Sequence, residues 1–179
     1  MAVSNKEENM RFAIASDIHG SATWCEQLVR ALEDEKPDQI ILLGDLLYHG
    51  PRNPLPDGYA PAEVASMLNE LADRIVAVRG NCDSEVDQMM LDFPCLADYA
   101  LVTDGTQKLF CTHGHVHTPE APPRLAPGSL FLSGHTHVKV DEQRDGIRFV
   151  NPGSVSLPKD DSRSFALYSD GKVEFRELR

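Results

Sequence analysis

Short aliphatic runs pace the first half of the chain, and each stops at a glycine or a charged residue. Arg11 to Ser16 reads as a buried strand, with Asp17-Ile18-His19-Gly20 at its end. Trp24, Leu28, Ala31 and Leu32 then recur at the spacing of an amphipathic helix. Pro37 stops that helix. The next run, Ile40 to Leu43, is long enough for a buried strand and too short for an independent helix, and it leads into Gly44-Asp45. This is one β-α-β unit, which favours parallel strands and a right-handed crossover. Residues 48–61 hold four prolines, Pro51, Pro54, Pro56 and Pro61, and read as a loop carrying His49, Arg52 and Asn53. Pro61 also suits the first turn of a helix, with Val64, Met67, Leu68 and Leu71 on its inner face. Ile75 to Val78 forms a third strand running into Gly80-Asn81-Cys82-Asp83. Ser84 stands where it caps a short helix containing Val86, Met89 and Met90.

After Pro94 the pattern changes to strands joined by tight turns. Tyr99–Val102 and Leu109–Thr112 flank Asp104-Gly105; Val138–Asp141 and Ile147–Val150 flank Asp145-Gly146; Leu130–Ser133 lies between the two pairs. Two more strands flank Asp170-Gly171, and such dipeptides are good hairpin signals. The first half is therefore βαβαβ and the second mostly β. The expected class is α+β with an α/β-like first half, its two sheets packed face to face with helices outside. The chain reads as one domain over residues 1–179, with residues 1–9 as a flexible tail, and holds no internal repeat.

Composition narrows the partners. A chain of 179 residues with 41% hydrophobic and 25% charged residues is ordinary for a globular protein. A formal charge of -11 argues against duplex nucleic acid or an anionic membrane as a partner. It leaves room for a small phosphorylated substrate held through metal ions, whose local charge outweighs the overall field. Cys25, Cys82, Cys95 and Cys111 show no C-x-x-C spacing, and the polar N-terminus offers no secretory signal. The expected location is the cytoplasm. A homo-oligomer is compatible with the sequence, which does not fix its size.

Five polar clusters each follow an apolar run: Asp17-x-His19, Gly44-Asp45, Gly80-Asn81-Cys82-Asp83, His113-Gly114-His115 and Gly134-His135-Thr136-His137. Alone, each is an ordinary surface turn. Together they hold five of the seven histidines, which points to a metal site. A pair such as Asp17 and His19 can aim at one point only if the backbone leaves strand geometry there, and Gly20 permits that. Imidazole and carboxylate donors without a thiolate cluster suit Mn, Fe, Zn, Ni or Mg. There are more candidate ligands than one tetrahedral ion needs. Two ions sharing a carboxylate would use them, the arrangement of phosphatases and nucleases. Asp45, at a strand's C-terminal end where open α/β sheets place their ligands, is the natural bridge.

The ordered set Asp17/His19, Gly44-Asp45, Gly80-Asn81 with Asp83, His113-Gly114-His115 and Gly134-His135 with His137 resembles the calcineurin-like metallophosphoesterases over residues 10 to 155. More narrowly, Leu46 to Pro61, Arg79 to Met89 and Asn151-Pro152-Gly153-Ser154 look like the small bacterial phosphodiesterases of the YfcE type. The resemblance implies a four-layer αββα sandwich with a two-metal site at one sheet edge. It implies that Asp17, His19, Asp45 and His137 hold one divalent ion, Mn2+ being the expected one. Asp45, Asn81, His113 and His135 hold the other. It further implies a metal-bridging hydroxide as the nucleophile, with Asn81 stabilising phosphoryl oxygens. Asn81, Cys82 and Asp83 are the catalytic candidates on this reading.

One position departs from the wider family, where a histidine proposed as general acid stands in place of Cys82. A neutral thiol is a poorer proton donor than an imidazolium. That fits hydrolysis of a small phosphodiester better than of a monoester, although an inert space-filling thiol remains the plainer account of the residue. Arg52 is a candidate for a two-point contact with phosphate or a solvated loop residue, and His115 is a candidate substrate contact. His117 is expected at the surface. The rival readings are a phosphomonoesterase and a catalytically silent scaffold like the metallophosphoesterase-fold subunit of the retromer coat.

Overall fold

The computed structural model describes residues 10–179, so the tail assigned to residues 1–9 lies outside the described residues. Strands β1 (Phe12–Ala15), β2 (Gln39–Leu42) and β3 (Ile75–Ala77) run parallel, as the β-α-β reading requires. Two C-terminal strands, β9 (Ser164–Ser169) and β10 (Lys172–Glu177), extend the sheet antiparallel beyond β1, giving the order β10-β9-β1-β2-β3. The second sheet has the order β4-β5-β6-β8-β7, built from β4 (Tyr99–Thr103), β5 (Lys108–Thr112), β6 (Leu130–Leu132), β7 (Lys139–Arg144) and β8 (Ile147–Pro152). Both sheets mix parallel and antiparallel pairs.

Apart from Gln39 at the start of β2, the residues of β1 and β2 are apolar without alternation because both faces of the first sheet are covered. Ala13, Ala15, Ile40 and Leu42 face α1 (Ala22–Glu35) and α2 (Pro61–Asn69), where they meet Leu28, Leu32, Val64 and Leu68. Phe12, Ile14 and Ile41 face the second sheet and pack on Leu109, Cys111, Leu130 and Val150. The α+β sandwich of two sheets flanked by helices is thus the architecture found. Its helices gather on the first sheet. The outer face of the second carries Phe110, Phe131, Ile147 and Phe149, against which Leu125 of the irregular segment between β5 and β6 packs.

Local signals hold up with three adjustments. Ser21 caps α1 by accepting from the Trp24 N–H, and Pro61 opens α2. The buried stripe of α1 runs through Cys25, Leu28 and Leu32, so Trp24 turns partly outward and its ring lies under the Arg163 guanidinium at 4.0 Å. In α2 the innermost residues are Val64, Ala65 and Leu68, while Met67 and Leu71 are only partly covered. His117 is half-buried, its ring edge-on to Tyr99 and Phe110. Asp145-Gly146 and Asp170-Gly171 make two-residue hairpins with both residues left-handed. Among the described residues no helix is long and apolar enough to cross a membrane.

Candidate metal centre

The polar clusters follow the C-terminal ends of β1, β2 and β3, which run parallel in the first sheet, and of β5 and β6, which run parallel in the second. Backbone conformation does the aiming. Asp17 (φ 59°), His19 (φ 51°), Asp45 (φ 55°), His135 (φ 68°) and His137 (φ 61°) are all left-handed, which is uncommon for residues with a side chain. This is the departure from strand geometry that an x-spaced ligand pair requires. Backbone bonds knit the turns together: the Asp17 N–H donates to Gly44 O at 3.1 Å and the His19 N–H to Asp45 O at 2.9 Å. The Asp45 turn lies directly against Gly80. A Cβ on Gly80 would sit 2.1 Å from Asp45 Oδ1, and one on Gly44 (φ 95°) would sit 2.4 Å from Gly80 N. Only glycine fits at that crossing.

The donor atoms converge. His137 Nε2 is 3.1 Å from Asp17 Oδ1, and His19 Nε2 is 3.6 Å from the same oxygen. Asp45 Oδ2 stands between the two halves, 3.7 Å from His19 Nε2 and 3.5 Å from His113 Nε2. Asn81 Oδ1 and His135 Nδ1 each lie 3.2 Å from His113 Nε2. Asp17, His19 and His137 offer atoms within 4.8 Å of one another, as do Asp17, Asp45 and His113. All seven residues expected as ligands are therefore brought together.

Three of the imidazoles are oriented from behind. The Nδ1–H groups of His19, His113 and His137 donate to the carbonyls of Tyr48 (3.0 Å), Leu43 (2.7 Å) and Leu157 (2.6 Å). A carbonyl can only accept, so in the neutral rings Nε2 keeps its lone pair and faces the cluster. Asp17 Oδ1 is buried without a hydrogen-bond partner, which is costly unless a cation satisfies it. Burial opposes ionisation of Asp17, but the His137 and His19 rings that face its carboxylate, with His113 nearby, outweigh it and hold the carboxyl well below its usual range. Burial likewise opposes charge on His113, yet the neighbouring Asp45 and Asp17 raise its pKa to about 9. Anionic oxygens and inward lone pairs in one buried cluster are the donor set a divalent cation takes.

The catalytic candidates divide. Asn81 lies at the surface of the cluster and Cys82 lines the cleft beside it. Asp83 turns away: its buried carboxylate accepts the backbone N–H groups of Asp45 (2.8 Å), Leu46 (2.8 Å) and Gly80 (2.7 Å). It clamps two ligand-bearing turns together and has no free edge toward the cleft. Burial, then the repulsion of Asp45, pushes the Cys82 thiol far above its ordinary pKa, so it stays neutral. Arg52 lines the cleft, whose volume is about 650 Å³. His115 packs behind the ligands, its ring 5.3 Å from His113 and 6.2 Å from His135, and does not line the cleft. His49 is held between Tyr48 and Tyr59.

Two contributions went unread in the sequence. Lys159 lines the cleft with Arg52, seated by its N–H bond to His137 O at 2.9 Å; a lone loop lysine carries no sequence signal. Ser154 and Ser156 donate their hydroxyls to Asp17 O at 2.8 and 3.1 Å, and Asn151 Nδ2 donates to Gly134 O at 2.7 Å. The run Asn151-Pro152-Gly153-Ser154 was the signal for the second group.

A two-sheet sandwich that gathers carboxylates and imidazoles at its strand ends defines a metal-dependent hydrolase. The chain belongs to the calcineurin-like phosphoesterase superfamily, whose domain description matches residues 10–170. It is 51% identical to phosphodiesterase YfcE of Escherichia coli K12 over 150 residues, covering 84% of this chain and 82% of that protein. The solved structure of E. coli YfcE, a phosphoesterase, superposes with a TM-score of 0.89 and 42% identity over 95% of this chain and 100% of the other. Phosphodiesterase MJ0936 of Methanocaldococcus jannaschii is 24% identical over 94% of this chain and 98% of its own length.

Proposed function

We propose that the chain is a metal-dependent phosphodiesterase acting on a small diester. The observation that carries this is the convergence of Asp17, His19, Asp45, His113 and His137 on one cluster, with the Nδ1–H groups of all three imidazoles tied back to carbonyls. The phosphodiesterase names of relatives at 51% and 24% identity support it. Asp17, His19 and His137 would hold one ion and Asn81, His113 and His135 a second, with Asp45 shared between them. A bound pair of divalent ions supplies Lewis acidity toward a phosphoryl oxygen and makes water acidic enough to attack at neutral pH.

The chain's own residues do the rest. Asn81 presents its amide beside the phosphoryl oxygens, and Arg52 and Lys159 offer positive charge from the cleft walls to the diester's anion. Cys82, a neutral thiol, gives an alkoxide leaving group little proton assistance. That weakness favours diesters with acidic leaving alcohols over ordinary monoesters. We take manganese as the native ion on the mixed oxygen and nitrogen donor set without thiolate, and the cytoplasm as the location on the four unpaired cysteines.

The test is hydrolysis of bis(4-nitrophenyl) phosphate by purified protein. Turnover should appear on adding Mn2+, vanish with chelator and be lost in Asp45→Ala. Metal binding with no turnover on any phosphoester would instead select the scaffold reading. Faster turnover on aryl monoesters than on diesters would select the monoesterase.

A further inference from the structure

Helix α3 (Glu85–Met90) is built inside out. Its buried residue is Asp87, whose carboxylate accepts from the Ser84 N–H (2.6 Å) and hydroxyl (2.8 Å). Its large apolar residues face solvent: Val86 is 66% exposed, Met89 81% and Met90 45%. Core packing does not account for them. Val86 and Met90 form one wall of a hollow of about 710 Å³ with Leu47 and Tyr59, and no lysine, arginine or histidine lines it. Tyr48 and Cys82 line both this hollow and the polar cleft over the metal centre, so the two spaces adjoin across a shared wall.

We propose that this hollow receives an apolar ester arm of the substrate, so that the enzyme acts on phosphodiesters carrying at least one bulky hydrocarbon or aromatic alcohol. The proposal rests on the phosphodiesterase reading above and names its substrate class. Three observations select this occupant. The hollow adjoins the cleft where the phosphate would sit, and its size is that of a small-molecule site. It offers no cation to a second phosphate or carboxylate, and its one carboxylate is already bonded within α3. Methionine at its rim adapts to irregular apolar shapes. Cys82 at the shared wall adds a compact, weakly polar surface where an imidazole would place a polar ring.

Alkyl methylphosphonates test this directly, since each carries one ester arm and resists hydrolysis. Binding of the methyl, ethyl, butyl and hexyl members to manganese-loaded protein is measured by calorimetry, with bis(4-nitrophenyl) phosphate hydrolysis recorded in parallel. Affinity should rise about fourfold per added methylene over the first few carbons, and Met90→Glu and Val86→Glu should each flatten that slope. A flat series in the wild-type protein with diester hydrolysis intact would overturn the substrate class and leave the phosphodiesterase reading standing. Failure to hydrolyse any diester would overturn that reading itself. A flat series with self-association that Met90→Glu abolishes would assign the hollow to a second copy of the chain and overturn the proposal.

Discussion

Replacing Asp83 by asparagine should separate the stability of the protein from its grip on metal. The carboxylate spans three backbone donors, with Oδ2 accepting from Asp45 and Gly80 and Oδ1 from Leu46. Asparagine in its better orientation keeps the first two bonds and turns its amide N–H2 against the Leu46 N–H. One buried bond is lost and two donors face each other, at about 1–3 kcal/mol. Against this, burial raises the Asp83 carboxyl from 3.8 to about 6 even with its three bonds made. Holding it ionised at pH 7.5 therefore costs roughly 3 kcal/mol relative to the unfolded chain, a cost that neutral asparagine does not carry. The second effect offsets the first and leaves about 0–2 kcal/mol in the variant's favour, so urea unfolding of the metal-free protein should show equal or modestly higher stability. The sign of the pH dependence provides a check. A folded-state pKa raised to about 6 means that this residue's contribution is present below pH 4 and lost as pH rises through 6. That slope should be missing from the variant. Metal binding has no such compensation, because the Asp45 and Gly80 turns are no longer clamped on all three donors. Manganese affinity should fall about 10- to 100-fold, as on loss of other groups that orient ligands. Wild-type affinity in Asp83→Asn would refute the clamp, and a loss of several kcal/mol in stability would refute the offset.

Other consequences follow from the same geometry. Cys82→His should raise kcat/KM on 4-nitrophenyl phosphate about tenfold or more by supplying a proton donor, and equal or lower turnover at intact metal content would count against it. Because the His113 pKa stands near 9, a proton must leave before its Nε2 binds a cation; manganese affinity should climb between pH 6.5 and 9, with proton release seen by calorimetry in buffers of different ionisation enthalpy. Burial opposes ionisation of Asp104, but the Tyr168 hydroxyl at 2.5 Å and the Gln107 and Thr106 N–H groups lower its pKa to about 2. Its stabilising contribution is present above pH 4 and lost as pH falls toward 2, and thermal unfolding of Asp104→Asn should show a shallower acid limb.

Much of the candidate site was legible because its proposed ligands announce themselves twice. Each is a donor residue at the end of an apolar run, and most sit beside glycine, so position and chemistry agree before any fold is known. What could not be read was which neighbour is free to act. Asp83 and Asn81 share one cluster, yet only the folded chain shows that three N–H groups occupy the first while the second stays open. His115 reads like His113, but the strand end delivers one ring into the cluster and the next behind it. In the fold, strand-like runs between tight-turn dipeptides located every strand of the second half. The covering of the second sheet was not legible, because an irregular segment with Leu125 has no periodicity to detect.

The left-handed turns explain why so small a site leans on so much of the chain. Five proposed ligands in that conformation cost of order 1–3 kcal/mol each, a strain that persists only where surroundings over-determine it. Here the surroundings come from far along the sequence. Ser154 and Ser156 fix the Asp17 carbonyl, Asn151 fixes Gly134, and Asp83 fixes Asp45. The late strands, which supply no ligand after His137, therefore act on the centre by holding its turns in shape. Ser154→Ala, well away from the donor atoms, should for that reason weaken metal binding more than its single lost hydroxyl weakens the fold.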